Sequence, residues 1–123
     1  MARVFDACAD LPNVQGWVYE PVDLSQPSWA PGLTEGSVVR GVDHLWETFR
    51  GLRLKIGFRS FMQANWSLFE VMGQTAQEWI SRMAGERILE LYAGTGALGL
   101  SLAHAGARVM GVEMNGYAVQ DAL

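Results

Sequence analysis

The last third of the chain constrains the architecture more tightly than any other part. From Arg87 onward, "RILELY" reads as a strand and is followed by a glycine turn. "ALGLSLAHAG" then reads as a helix closed by Gly106, "ARVMGVE" as a second strand, and "NGYAVQDAL" as the opening of another helix. Strand, helix and strand joined by short connections form a βαβ unit, which requires parallel strands and a right-handed crossover. Two parallel strands cannot bury themselves, because both faces and both edges need cover. Such a chain is either the first part of a longer α/β protein or a module that borrows the surface of a second copy or partner.

The stretch ahead of this unit, "SFMQANWSLFEVMGQTAQEWISRMAGE", has a helical pattern. Asn65 is a good N-cap, and Phe69, Met72, Ala76, Ile80 and Met83 recur at helical spacing as an apolar stripe for core packing. Gly85 is a sensible stop. Further upstream the chain changes character. Pro12, Pro21, Pro27, Pro31, Gly32 and Gly36 break the first 36 residues into short pieces, of which Val14 to Glu20 could be a strand. Ser37 to Phe58 reads as two or three short strands, with Gly41 and Gly51 at turn or bulge positions. This half is β-rich and has too few strands to close a barrel.

Composition narrows the functional classes. No apolar run approaches the roughly 18 residues of a membrane span, and "MARVFDACADLP" has no apolar signal region, so a cytoplasmic protein away from membranes is expected. The single cysteine, Cys8, excludes an intramolecular disulfide and any cysteine-rich zinc or iron–sulfur site. A net charge of −4 does not advertise nucleic-acid binding. The local exception is "RGLRLKIGFR", with Arg50, Arg53, Lys55 and Arg59. In an alternating strand Arg53 and Lys55 share one face, either a solvated face or one that contacts phosphates. His44 beside Asp43 is an acid/base candidate, although a satisfied structural histidine is the simpler reading.

The glycine turn carries the chemistry. Gly94, Gly96 and Gly99 make a GxGxxG pattern, and Glu113 follows about twenty positions after the first glycine, as in dinucleotide-binding turns. In those turns an apolar strand runs straight into the first glycine, whereas here Glu90 interrupts it. An acidic residue before a G-x-G turn resembles the first motif of S-adenosylmethionine-dependent methyltransferases; that cofactor has no pyrophosphate to cradle, and its methionine and ribose portions need only a close backbone. A carboxylate at the end of the second strand can accept hydrogen bonds from both ribose hydroxyls. The glycines alone leave NAD, S-adenosylmethionine and an unliganded turn open.

Three longer segments bear on that choice. "RSFMQANWSLFEVM" resembles the "SFFQ-x-N" segment of the RNA 5-methyluridine methyltransferases, the TrmA/RumA group. "ILELYAGTGALGLSLA" is similar to that family's "hLDLYCGxGxxxLxLA", and "VMGVEMNGYAVQDA" to its "VxGVExxxxAVxxA". The resemblance covers Arg59 to Leu123 and is looser upstream. It implies an S-adenosylmethionine-dependent methyltransferase acting on uracil C5 in RNA, with a partial Rossmann-like α/β domain. Residues 1–58 would form a β-rich central-region segment and residues 59–123 the N-terminal half of the cofactor domain. Carried over by position, it implies a cofactor site bordered by Gln63, Glu90, Tyr92, Gly94, Gly96, Ala97 and Glu113. Ala97 stands where the family commonly has a polar residue, often Asn, and cannot supply that side-chain bond. The family's attacking Cys and its carboxylate base lie in later motifs, so no catalytic residue is expected in this chain. RNA is then the partner of the full-length enzyme. The competing reading is a non-catalytic module that needs a partner or dimer.

Overall fold

In the computed structural model, residues 11–21, 37–82 and 87–123 are described. The expectations placed on Cys8, Pro27, Pro31, Gly32, Gly36, Met83 and Gly85 fall outside those residues. The described elements run β1 (Gly16–Tyr19), β2 (Val38–Gly41), β3 (His44–Phe49), β4 (Leu52–Gly57), α1 (Trp66–Ser81), β5 (Arg87–Leu91), α2 (Ala97–His104), β6 (Arg108–Val112) and α3 (Gly116–Ala122).

The β-rich half consists of two antiparallel ribbons, β1 with β2 and β3 with β4. The β3–β4 hairpin closes through Arg50 and Gly51, whose φ values of 49° and 84° are both positive. A two-residue loop with that property matches the right-handed twist of its strands. Alternation along β4 then puts Leu54 and Ile56 inside and leaves Arg53 exposed.

The core grows from this hairpin. Phe49 is wholly buried, stacks on Phe69 at 4.4 Å between ring centroids and meets Trp66 edge-on at 5.6 Å. Leu54 and Ala97 complete the cluster. Helix α1 begins at Asn65, whose side chain accepts the Leu68 N–H at 3.0 Å. It docks through Trp66, Phe69 and Gly73. A Cβ on Gly73 would come within 2.8 Å of both Phe49 and Arg50, so the missing side chain is what lets the helix approach. This corrects the expected stripe: Met72 is 47% exposed and does not belong to the core. The helix turns its smallest residue, not the bulky neighbour, toward Phe49.

The βαβ unit is present as expected, with β5 and β6 parallel and Ile88 opposite Val109. One face, carrying Ile88, Glu90 and Val109, lies under α2. The other carries Leu89, Leu91, Met110 and Val112, each at least half exposed or close to it. The first half is joined to α3 by Asp121. Its nearly buried carboxylate accepts the Gly57 N–H at 2.6 Å and the Ser60 hydroxyl at 2.5 Å, with Lys55 Nζ at 3.4 Å.

Candidate cofactor cleft

The turn between β5 and α2 is built from left-handed backbone. Tyr92, Gly94 and Gly96 have φ values of 58°, 59° and 75°. Glycine takes that region without penalty, but a bulky residue such as Tyr92 does so at a cost of about 1–3 kcal/mol, a feature that clusters at functional sites. The Tyr92 ring projects outward and is 86% exposed. Beside Gly94 a Cβ would meet nothing within 4 Å, so the backbone there faces open space.

Glu113 follows the end of β6 and is tied to this turn. Its Oε2 accepts the Gly94 N–H at 2.8 Å and its Oε1 accepts the Asn115 N–H at 2.7 Å. Those donors, Asn115 first and Gly94 second, hold its carboxyl below the usual range. Each oxygen retains acceptor capacity, since a carboxylate offers about four lone-pair directions.

Glu90 faces the other way. Helix α2 starts at Gly96, which has no capping side chain. The Glu90 carboxylate reaches from the neighbouring strand against Gly99 in the first turn of that helix, where a Cβ at position 99 would overlap it, so the third glycine of the motif makes room for the carboxylate. Burial pushes the Glu90 carboxyl up, and the Gly99 N–H offsets part of that rise.

The expected site residues border two adjoining hollows. Gln63, Tyr92 and Ala97 line one of about 280 Å³, and Met72, misplaced in the expected core, is on its wall. Gly96 and Glu113 line the second, of about 260 Å³, together with Val119 and Ala122 of α3. Glu90 and Gly94 border both. The glycine turn therefore stands between the two hollows, with Gln63 on one side and Glu113 on the other.

The remaining candidates have structural partners. His44 Nδ1 lies 3.0 Å from Asp43 Oδ1, a bond that lowers the Asp43 carboxyl. Arg50 bonds Gln77, the Arg53 guanidinium lies 4.4 Å over the Trp46 ring, and Lys55 pairs with Asp121. Arg59 is buried between Glu20 and Tyr117. Sequence reasoning missed Asn115, Tyr117 and Asp121. Asn115 was detectable as a helix N-cap; the long-range bonds of Tyr117 and Asp121 leave no local signal. Among the described residues, no group of three His, Cys, Asp or Glu side chains could hold a metal ion, and no helix is long and apolar enough to cross a membrane.

No family model matches the chain. It is 39% identical over 89 residues to an uncharacterised RNA methyltransferase of Thermosynechococcus vestitus, covering 72% of this chain and 20% of that protein. It is 40% identical over 76 residues to the human tRNA (uracil-5-)-methyltransferase homolog A, covering 62% of this chain and 12% of that one. The chain thus spans a fifth or less of these relatives' length. In three dimensions it is similar to the crystal structure of Pyrococcus abyssi tRNA (uracil-54, C5)-methyltransferase in complex with S-adenosyl-L-homocysteine. That match has a TM-score of 0.70 at 21% identity and covers 94% of this chain and 28% of the other. The fold is accordingly part of a Rossmann-like α/β domain preceded by a β-rich segment.

Proposed function

We propose that this chain, a relative of the RNA uracil-5-methyltransferases, is part of an S-adenosylmethionine-dependent enzyme that methylates uracil C5 in tRNA or rRNA. In this reading residues 59–123 are the first half of the cofactor domain and residues 1–58 part of the β-rich region ahead of it. The observation that carries the reading is the Glu113 carboxylate. It is clamped by two backbone N–H groups at the glycine turn and keeps acceptor capacity toward the cleft.

The donor set suits the cofactor. Two ribose hydroxyls are donors, and a carboxylate is a charged acceptor with room for both. Gly94, with open space where a side chain would stand, lets a ligand lie against the main chain. Gln63 and Tyr92, which line the hollow on the other side of the turn, would serve the methionine portion. Ala97 adds only a small apolar wall. When bound, S-adenosylmethionine supplies an electrophilic methyl group. The chain's own contribution is to bind and orient it, while the nucleophilic Cys and the base belong to later motifs of the relatives. RNA is the partner of the whole enzyme, which we place in the cytoplasm, and the uncovered sheet face belongs against further chain or a partner.

Calorimetry with S-adenosylhomocysteine tests this reading. The full chain should bind it, and Glu113→Ala should lose about 1–3 kcal/mol of affinity. Equal affinities would refute the role of Glu113, and preferential binding of NADH would refute the cofactor.

A further inference from the structure

An unbroken series of polar contacts runs from the β-rich segment to the glycine turn. Arg59, whose side chain is 8% exposed, donates from Nε to Glu20 Oε2 at 3.1 Å and from Nη1 to the Tyr117 hydroxyl at 2.6 Å. Its main-chain carbonyl accepts Asn115 Nδ2 at 2.9 Å. Asn115 in turn donates its own N–H to Glu113 Oε1 at 2.7 Å, and Glu113 Oε2 receives Gly94 N–H at 2.8 Å.

Asn115 does more here than start a helix. As N-cap of α3 it needs only a side-chain oxygen, which accepts the Tyr117 N–H at 3.0 Å. Ser or Asp would serve that purpose equally well. The second bond, from Nδ2 to Arg59, requires a side chain that accepts and donates at once, as an amide does. It crosses 56 residues of sequence to a segment that ends, four residues later, at Gln63. The start of α3 is thereby tied to the segment that leads from β4 to Gln63 through one side chain.

We infer that Asn115 is a positioning residue for the cofactor carboxylate, its amide bond to Arg59 fixing the N–H that aims Glu113 at the ribose. The inference rests on the reading of Glu113 given above. Glu113 can rotate about its side-chain torsions, and only donors fixed on separate elements restrict both oxygens. Gly94 supplies one from the turn. Asn115 supplies the other, and its place depends on the tie to Arg59.

The test compares Asn115→Ser and Asn115→Asp, each alone and combined with Glu113→Gln, by calorimetry with S-adenosylhomocysteine and by thermal unfolding. Both variants keep a capping oxygen and neither reproduces the bond to Arg59: Asp has no donor, and the serine hydroxyl, though a donor, stands one bond short of Nδ2, so the Asp variant also covers any loss of cap geometry from serine's shorter reach. Folding should persist in both, while the dissociation constant rises about tenfold, the effect of losing roughly one hydrogen bond. In the Glu113→Gln background the same substitutions should add less than about twofold, because residues acting as a unit are not additive. Unchanged affinity in a folded variant, or the same tenfold loss without the Glu113 carboxylate, would overturn the inference while leaving the cofactor reading intact. Failure of the unsubstituted chain to bind S-adenosylhomocysteine would overturn both.

Discussion

At the scale of single residues, the site depends on two carboxylates with opposite electrostatics. Glu113 is stabilised as an anion by the Asn115 and Gly94 N–H groups, so its folded pKa lies below its unfolded one. The stability it contributes is complete above the ordinary carboxylate pKa of about 4.3 and is lost as pH falls through the depressed folded value. The unfolding midpoint of the native chain minus that of Glu113→Gln should therefore be constant above about pH 5 and shrink below it. A difference that grows on acidification would contradict the clamp. Glu90 titrates the other way, since burial disfavours its charge: its contribution is greatest in acid and falls as pH rises through its elevated value. Both residues were legible in the sequence as cofactor candidates. Only the placement of α2 over β5 separates their surroundings: Glu90 is half-buried against Gly99, while Glu113 is held by the Gly94 and Asn115 N–H groups.

At the scale of elements, two close approaches are made at glycines. Gly99 admits the Glu90 carboxylate into the first turn of α2, and Gly73 admits Phe49 to the face of α1. Gly99→Ala should cost about 1–3 kcal/mol by overpacking, measured by denaturant unfolding. The same change in a Glu90→Ala background should cost much less, since the obstructing carboxylate is gone. Equal penalties in both backgrounds would show that Glu90 is not what Gly99 accommodates. The misplacement of Met72 has the same origin. Apolar periodicity registers bulk, and a helix that touches its neighbour through Gly73 hides its contact face from such a count.

At the scale of the whole molecule, the proposed boundary between residues 58 and 59 separates roles more than it separates packing. Phe49 and Leu54 share a core with Trp66, Phe69 and Ala97, and Asp121 bonds back to Gly57 and Ser60. What the described residues leave uncovered is the sheet face bearing Leu89, Leu91, Met110 and Val112. Apolar surface of that kind associates in water. The chain studied by itself should sediment with a concentration-dependent mass, and Leu89→Glu combined with Met110→Lys should shift it toward monomer. Identical, concentration-independent sedimentation of both would show the face to be inert. Local signals in the sequence (alternation, helical period and backbone freedom) specify the βαβ order, the parallel pairing of β5 with β6, a turn or bulge at Gly51 and the residues of the glycine turn. Packing in three dimensions decides that Glu90 lies against Gly99, that Gly73 and not Met72 meets the core, and that Arg59, Asn115 and Asp121 join the two halves. Those outcomes depend on bonds and contacts between residues far apart in sequence, where no short-range pattern specifies the partner.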